Sequence, residues 1–183
     1  MKSLSECGII AAVRNSEEFD VALKSKVKII FDLSPDLLTL TKRAESVHKS
    51  GKKLFIHIDL ATGIGKDKSG ILYAKSMGVD GIISTRVNII KIARELELFT
   101  VQRFFIVDSH SIDTTIEAIK ASKADMIEVM PGVVIKTIKK LKEKLNIPII
   151  AGGLVEDIEE VEEALKNGAV SVSTGKKELW KLV

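Results

Sequence analysis

The chain holds one cysteine, Cys7, in 183 residues. A single thiol makes no internal disulfide and no cysteine-based metal motif, so disulfide scaffolds and zinc knuckles are excluded. Aromatic residues are scarce at 4%, too few for the stacking platform of an RNA-recognition sheet. No apolar run approaches about 18 residues, so no membrane span is expected. Met1 to Gly8 carries one lysine and no long apolar core, and no secretory signal is expected either. A cytoplasmic protein is the simplest expectation. Charge of one sign is nearly balanced: 28 Lys and Arg against 25 Asp and Glu leave a net +3. That balance permits an acidic partner without demanding one.

What is present is a run of short apolar segments. Hydrophobic residues make up 45% of the chain, enough for a real core. Strands are predicted near 9–14, 27–33, 53–60, 81–85, 100–106, 126–130, 148–152 and 170–173. Amphipathic segments lie between them, as in Leu37, Leu40, Ala44 and Val47, or Val134, Ile138, Leu141 and Leu145. Ser34-Pro35-Asp36 reads as a helix start. Ser50-Gly51, Met77-Gly78 and Asn167-Gly168 read as helix stops. Strand starts recur about every 18 to 28 residues, close to one βα unit each. Eight such units and no linker predict one α/β domain over 1–183, a small (β/α)8 TIM-type barrel with parallel strands. A typical barrel has about 250 residues, so the loops here must be tight.

The glycine-rich turns come late. Strand seven ends Ala151-Gly152-Gly153 and strand eight ends Ser173-Thr174-Gly175, each expected to lead into a helix. In barrels these two turns form the usual phosphate site, so Gly152, Gly153, Ser173, Thr174 and Gly175 are the candidate phosphate-binding residues. The same glycines also suit a tight connection, and Thr174-Gly175 an ordinary helix cap.

Alternation assigns faces. Leu54, Ile56, Ile58 and Leu60 should meet the helices, which leaves Phe55, His57 and Asp59 inside. Ile127 and Val129 likewise leave Glu128 and Met130 inside. The inferred inner or rim set is Arg14, Asp32, His57, Asp59, Ser84, Arg86 and Glu128. Gln102 and Arg103 face opposite ways, and either could be inward. Buried groups of this kind must pair or meet a ligand. Two readings follow: a charge network filling the mouth, or a polar pocket in which carboxylates and His57 accept hydroxyl hydrogens.

Several segments, taken in order, carry a family resemblance: Ala12-Val13-Arg14-Asn15, His57-Ile58-Asp59-Leu60, Gly81-Ile82-Ile83-Ser84-Thr85-Arg86, Gln102-Arg103, Glu128-Val129-Met130-Pro131-Gly132, Ala151-Gly152-Gly153 and Leu179-Trp180-Lys181. Over nearly its whole length the chain resembles the glycerol-3-phosphate-responsive antiterminators, regulators of bacterial glycerol uptake operons. The resemblance implies a barrel that binds glycerol 3-phosphate, then leader mRNA, and lets transcription pass a terminator. It implies the phosphate at Gly153 and the Ser173-Thr174-Gly175 turn, and the polyol at His57, Asp59, Arg86 and Glu128; Arg14, from its inner or rim facing, completes the candidate ligand-binding set. Thr174-Gly175-Lys176 is more glycine-like and basic than the turn expected there. No catalytic residue, metal or cofactor is implied, and the oligomeric state is left open, a homodimer included.

Other classes stay in view. A barrel lyase, aldolase or epimerase acting on a small phosphorylated substrate would need an inward lysine or more metal ligands than His57 supplies. Glu128 with His57 as acid and base is its best support. A degenerate barrel kept as a protein-interaction scaffold is the third class. For RNA the candidates are the basic run Lys136, Lys139, Lys140, Lys142 and Lys144 and the cluster Lys24, Lys26 and Lys28, each of which also suits a solvated face.

Overall fold

The computed structural model describes residues 8–182; Cys7 lies outside them. Eight parallel strands close into a barrel in sequential order, β1 through β8. They are β1 Ile9–Val13, β2 Ile29–Asp32, β3 Lys53–His57, β4 Gly81–Ser84, β5 Phe99–Phe105, β6 Met126–Met130, β7 Ile149–Gly152 and β8 Ser171–Thr174. Among the described residues seven α-helices cover the outside: α1 Ser16–Lys24, α2 Leu40–Lys49, α3 Lys68–Ser76, α4 Val87–Glu95, α5 Ser109–Ser122, α6 Ile135–Lys144 and α7 Ile158–Lys166. This is the predicted architecture, with strand ends shifted by a residue or two. Lys53–Leu60 is the larger exception, because Ile58–Leu60 is a 3-10 turn and Leu60 is 58% exposed instead of meeting helices.

Strand alternation sorts the core into two clusters. Ala11, Ile30, Leu54, Ile56, Ile82, Ile127 and Val172 join the helices, while Ile10, Phe31, Phe55, Ile83, Val101, Met126 and Ile150 fill the barrel. Phe31, Phe55 and Phe99 contact one another in turn, the first pair tilted and the second edge to face, with centroids 5.6 and 5.7 Å apart. Burying one such ring stabilises by roughly 1.5–3 kcal/mol. The apolar filling leaves polar side chains to the C-terminal ends of the strands, where the mouth lies.

Two expected helix starts differ. Ser34-Pro35-Asp36 opens no helix: Asp36 bridges to Thr62, and α2 begins at Leu40 after Thr39. No α-helix follows β8 among the described residues; the chain turns into a 3-10 segment at Leu179–Lys181. Trp180 packs there in the helix-side core. It is fully buried, and its Nε1 donates to the Thr174 carbonyl at 2.9 Å. The three glycine stops hold, with φ of 69° at Gly51, 89° at Gly78 and 111° at Gly168.

Candidate functional site

The mouth holds a cavity of about 260 Å3 at the ends of β1, β5, β6, β7 and β8. Its floor is Glu128, fully buried, between two donors. Arg103 Nε donates to Glu128 Oε2, and Ser173 Oγ donates to Oε1, each at 2.5 Å. The facing of strand five is thereby settled: Arg103 points inward beside Glu128, and Gln102 points out towards the helices. The signal was present in the sequence, since Arg103 shares parity with apolar Phe99 and Val101 inside the barrel.

Glycines shape one wall. A Cβ on Gly152 would stand 2.7 Å from both Glu128 Oε1 and Ser173 Oγ, so only glycine lets β7 approach that pair. Gly153 has φ of 73°, a left-handed conformation that glycine adopts without strain. Beyond it the lining turns basic, with Arg14 and Lys176 beside Gly153 and Gly175. Gly175 passes so near Arg14 that a Cβ would lie 3.1 Å from its Nη1. Three cations thus face two carboxylates, Glu128 and Glu156, the latter exposed and 3.2 Å from Lys176 Nζ.

The cavity gathers Arg14, Glu128, Gly153, Ser173, Thr174 and Gly175 from the expected set, with Gly152 behind its wall. It adds Arg103 and Lys176, which sequence reasoning left out of the site. The helix-terminus part of the phosphate idea does not hold. Helix α7 starts five residues past Gly153 and is capped by its own Asp157, which accepts from Glu160 N at 2.8 Å. The Thr174 hydroxyl is also engaged, donating to the Val155 carbonyl at 2.8 Å and accepting from Lys176 N at 3.1 Å.

His57, Asp59 and Arg86 form a neighbouring cluster outside the cavity lining. Asp59 accepts from the Ser84 hydroxyl at 2.8 Å, from the Thr85 N–H at 2.7 Å and hydroxyl at 3.0 Å, and from Arg86 Nε at 3.0 Å. Burial alone would raise its pKa; those donors hold it below the usual carboxylate value. Asp59 therefore orients Arg86 and ties the β3 and β4 turns together. Asp32, expected inside or at the rim, is turned to the helix side. It is fully buried and accepts from Arg43 of α2 at 2.6 Å. The parity of Phe31 inside forces this. The Lys24, Lys26 and Lys28 cluster precedes β2 and so sits at the opposite end of the barrel from the mouth.

His57 is buried, and neither ring nitrogen has a hydrogen-bond partner in the protein. Asp59 Oδ2 stands 3.7 Å from Nε2. Burial, then the Arg103 charge, push the ring's pKa from 6.5 down to about 4, against the opposing pull of Asp59 and Glu128. Above the ordinary value the ring is neutral folded or unfolded, and no stability depends on it. As pH falls below 6.5 the unfolded chain takes up a proton that the fold refuses until about pH 4. Stability should fall across that window, by about 2–3 kcal/mol at its acid end. Urea unfolding of wild type and His57→Gln at pH 7.5 and 4.5 checks this. The variant should lose less stability on acidification, and parallel losses would refute the assignment.

Known proteins carry the same frame. Aldolase barrels superimpose at only 16% and 14% identity, a likeness of fold alone. Nearer relatives span the whole barrel. The uncharacterized protein YgcP of Escherichia coli K12 is 35% identical over 175 residues, 95% of this chain and 92% of that protein. The crystal structure of the glycerol uptake operon antiterminator regulatory protein of Listeria monocytogenes matches with a TM-score of 0.91 and 32% identity, covering 97% of each chain. A glycerol uptake operon antiterminator-related protein of Thermotoga maritima gives 0.85 and 33%, over 95% of this chain and 98% of its own. The family model of the glycerol-3-phosphate responsive antiterminators matches residues 9–180, all eight strands included, and the chain belongs to that family.

Proposed function

We propose that the protein binds glycerol 3-phosphate in the mouth cavity and, so loaded, binds leader mRNA and lets transcription of glycerol-uptake genes pass a terminator. Its family is one of regulators, not enzymes. The observation that carries the ligand assignment is the division of the cavity lining. One end offers Arg14, Lys176 and the Gly153 and Gly175 backbone, suited to a phosphate dianion. The other offers the buried Arg103–Glu128–Ser173 set, suited to hydroxyls that both donate and accept. No cofactor is needed for binding of this kind.

RNA contact would be electrostatic at first. Arg14, Arg86 and Lys176 surround the mouth, and Lys136 begins the basic helix α6 on the same rim. Ligand can raise RNA affinity only by binding one conformation better than another. The coupling must then be reciprocal, with RNA tightening the small ligand by the same factor. Titration of leader RNA at fixed salt, with and without saturating glycerol 3-phosphate, should show about 10-fold tighter binding with ligand, within the usual range of such couplings. Calorimetry with and without RNA should return the matching factor. Equal RNA affinity in both conditions would reject the switch, and turnover of the phosphate ester would reassign the protein as an enzyme.

A further inference from the structure

Outside the barrel wall, between α4 and α5, a second cavity of about 420 Å3 opens beside the β5–α5 turn. Gln102 lines it. This side chain is fully buried, yet neither its amide nitrogen nor its oxygen has a hydrogen-bond partner in the protein. Neighbouring Thr100, also on the helix side, is by contrast bonded to Asp125 at 2.6 Å. An unpaired buried amide is costly, and a packed barrel has no structural need for one there. A leucine or methionine would fill the position at no such cost.

The surroundings say what the amide would meet. Phe105 lines the same cavity and is 59% exposed, and Thr115 adds a hydroxyl, as do Thr85 and Ser111, whose protons go to Asp59 and Asp108 and which are left to accept. An adjacent donor and acceptor, an accessible aromatic face and small hydroxyls match one planar chemistry: a nucleobase offering its own donor and acceptor side by side. Glutamine meets adenine in this way, through N7 and the N6 amino group. Phosphates would find cations on either side. Arg86 follows Thr85, and across the β5–α5 turn a hollow of about 300 Å3 carries Lys136 and Lys140 next to Val107.

Resting on the RNA-binding reading above, we propose that this cavity receives one unpaired base of the RNA, an adenine for preference, with Gln102 reading its edge and Phe105 stacking on its face. Single-stranded RNA is generally read by such splayed bases on aromatic side chains. The site is separate from the phosphate cavity but joined to it through β5, where Arg103 faces Glu128 and Gln102 faces out. A change at Arg103 on ligand binding would reach Gln102 through one peptide unit.

The test has two arms. In the first, the 15N-labelled protein is titrated with adenosine, which has no phosphate to occupy the mouth, and the Gln102 side-chain amide signals are followed. A saturable shift in wild type that is absent in Phe105→Ala is expected. No shift of that amide would overturn the proposal. In the second arm, Gln102→Leu should raise Tm by a few degrees, leave glycerol 3-phosphate affinity unchanged and weaken leader RNA binding roughly 10-fold or more. A lowered Tm would show the amide to be satisfied internally, and unaltered RNA affinity would show that it reads nothing; either result sinks the proposal. If wild type binds no leader RNA while adenosine still shifts Gln102, the antitermination reading fails and the base site stands as a nucleoside site. If wild type binds RNA without that shift, the reverse holds.

Discussion

Glu128→Ala should lower the unfolding free energy by about 3–5 kcal/mol and eliminate measurable glycerol 3-phosphate binding. The carboxylate is wholly buried, and so, nearly, is the guanidinium it holds, Arg103 at 6% side-chain exposure. Removing the acid leaves that charge in the barrel without a counterion, and the Ser173 hydroxyl loses its acceptor. For a domain of this size the loss corresponds to roughly 6–20 °C in Tm. The large value reflects an orphaned charge and not the net worth of the pair. Replacing both partners, as in Arg103→Met with Glu128→Met, should therefore recover most of the stability while binding stays absent. Thermal and urea unfolding of the single and double variants measure the coupling. A single variant within about 1 kcal/mol of wild type would show that the pair is solvated and not buried, and the site would need redrawing.

The barrel was legible because its signals are local and repeated. Apolar alternation, helix stops such as Asn167-Gly168 and the even spacing of eight units each name the same architecture, and the structure agrees with all three. Facing was legible only where a strand had an apolar partner at the right parity. Glu128 could be placed inside because Ile127 and Val129 face the helices. Asp32 was misplaced because Ile29, Ile30 and Phe31 are all apolar, both faces of β2 being buried, so alternation gives no mark. Asp59 lies past the strand end in a 3-10 turn, where period-two reasoning no longer applies. The turn from β8 into a 3-10 segment instead of a helix, among the described residues, could not be read because Leu179-Trp180 is apolar in the manner of a helix face, and only tertiary packing shows it docking in three residues. Arg103 and Lys176 show the remaining limit. Arg103 meets Glu128 across neighbouring strands, and Lys176 shares a cavity with Arg14 only because β8 pairs with β1, a closure that no spacing in the chain encodes.

Gly153→Asp should weaken glycerol 3-phosphate binding by roughly 100-fold or more, whereas Gly153→Asn should weaken it far less. Two effects act at this position, and the pair of variants separates them. The first is backbone strain. With φ at 73°, any side chain meets the left-handed penalty of about 1–2 kcal/mol, although asparagine and aspartate both tolerate the region better than most. The added Cβ would also stand 2.8 Å from Met130 Cε, the mobile end of a flexible side chain that can move aside. Asparagine and aspartate share these costs, so the difference between them is charge. Gly153 lines the cavity with Arg14 and Lys176, where the proposed ligand places its dianion. At a separation near 5 Å and an effective dielectric near 20, a carboxylate repels each unit of that charge by about 3 kcal/mol. It would also draw Lys176 and Arg14 to itself and leave the phosphate less counter-charge. Repulsion between exposed charges is screened by salt, so the Asp–Asn difference should shrink between 50 mM and 500 mM ionic strength, while the strain common to both should not. Calorimetry on both variants at two salt concentrations, with circular dichroism to confirm the fold, decides the matter. Equal affinities for the Asp and Asn variants would mean that the phosphate lies elsewhere in the mouth.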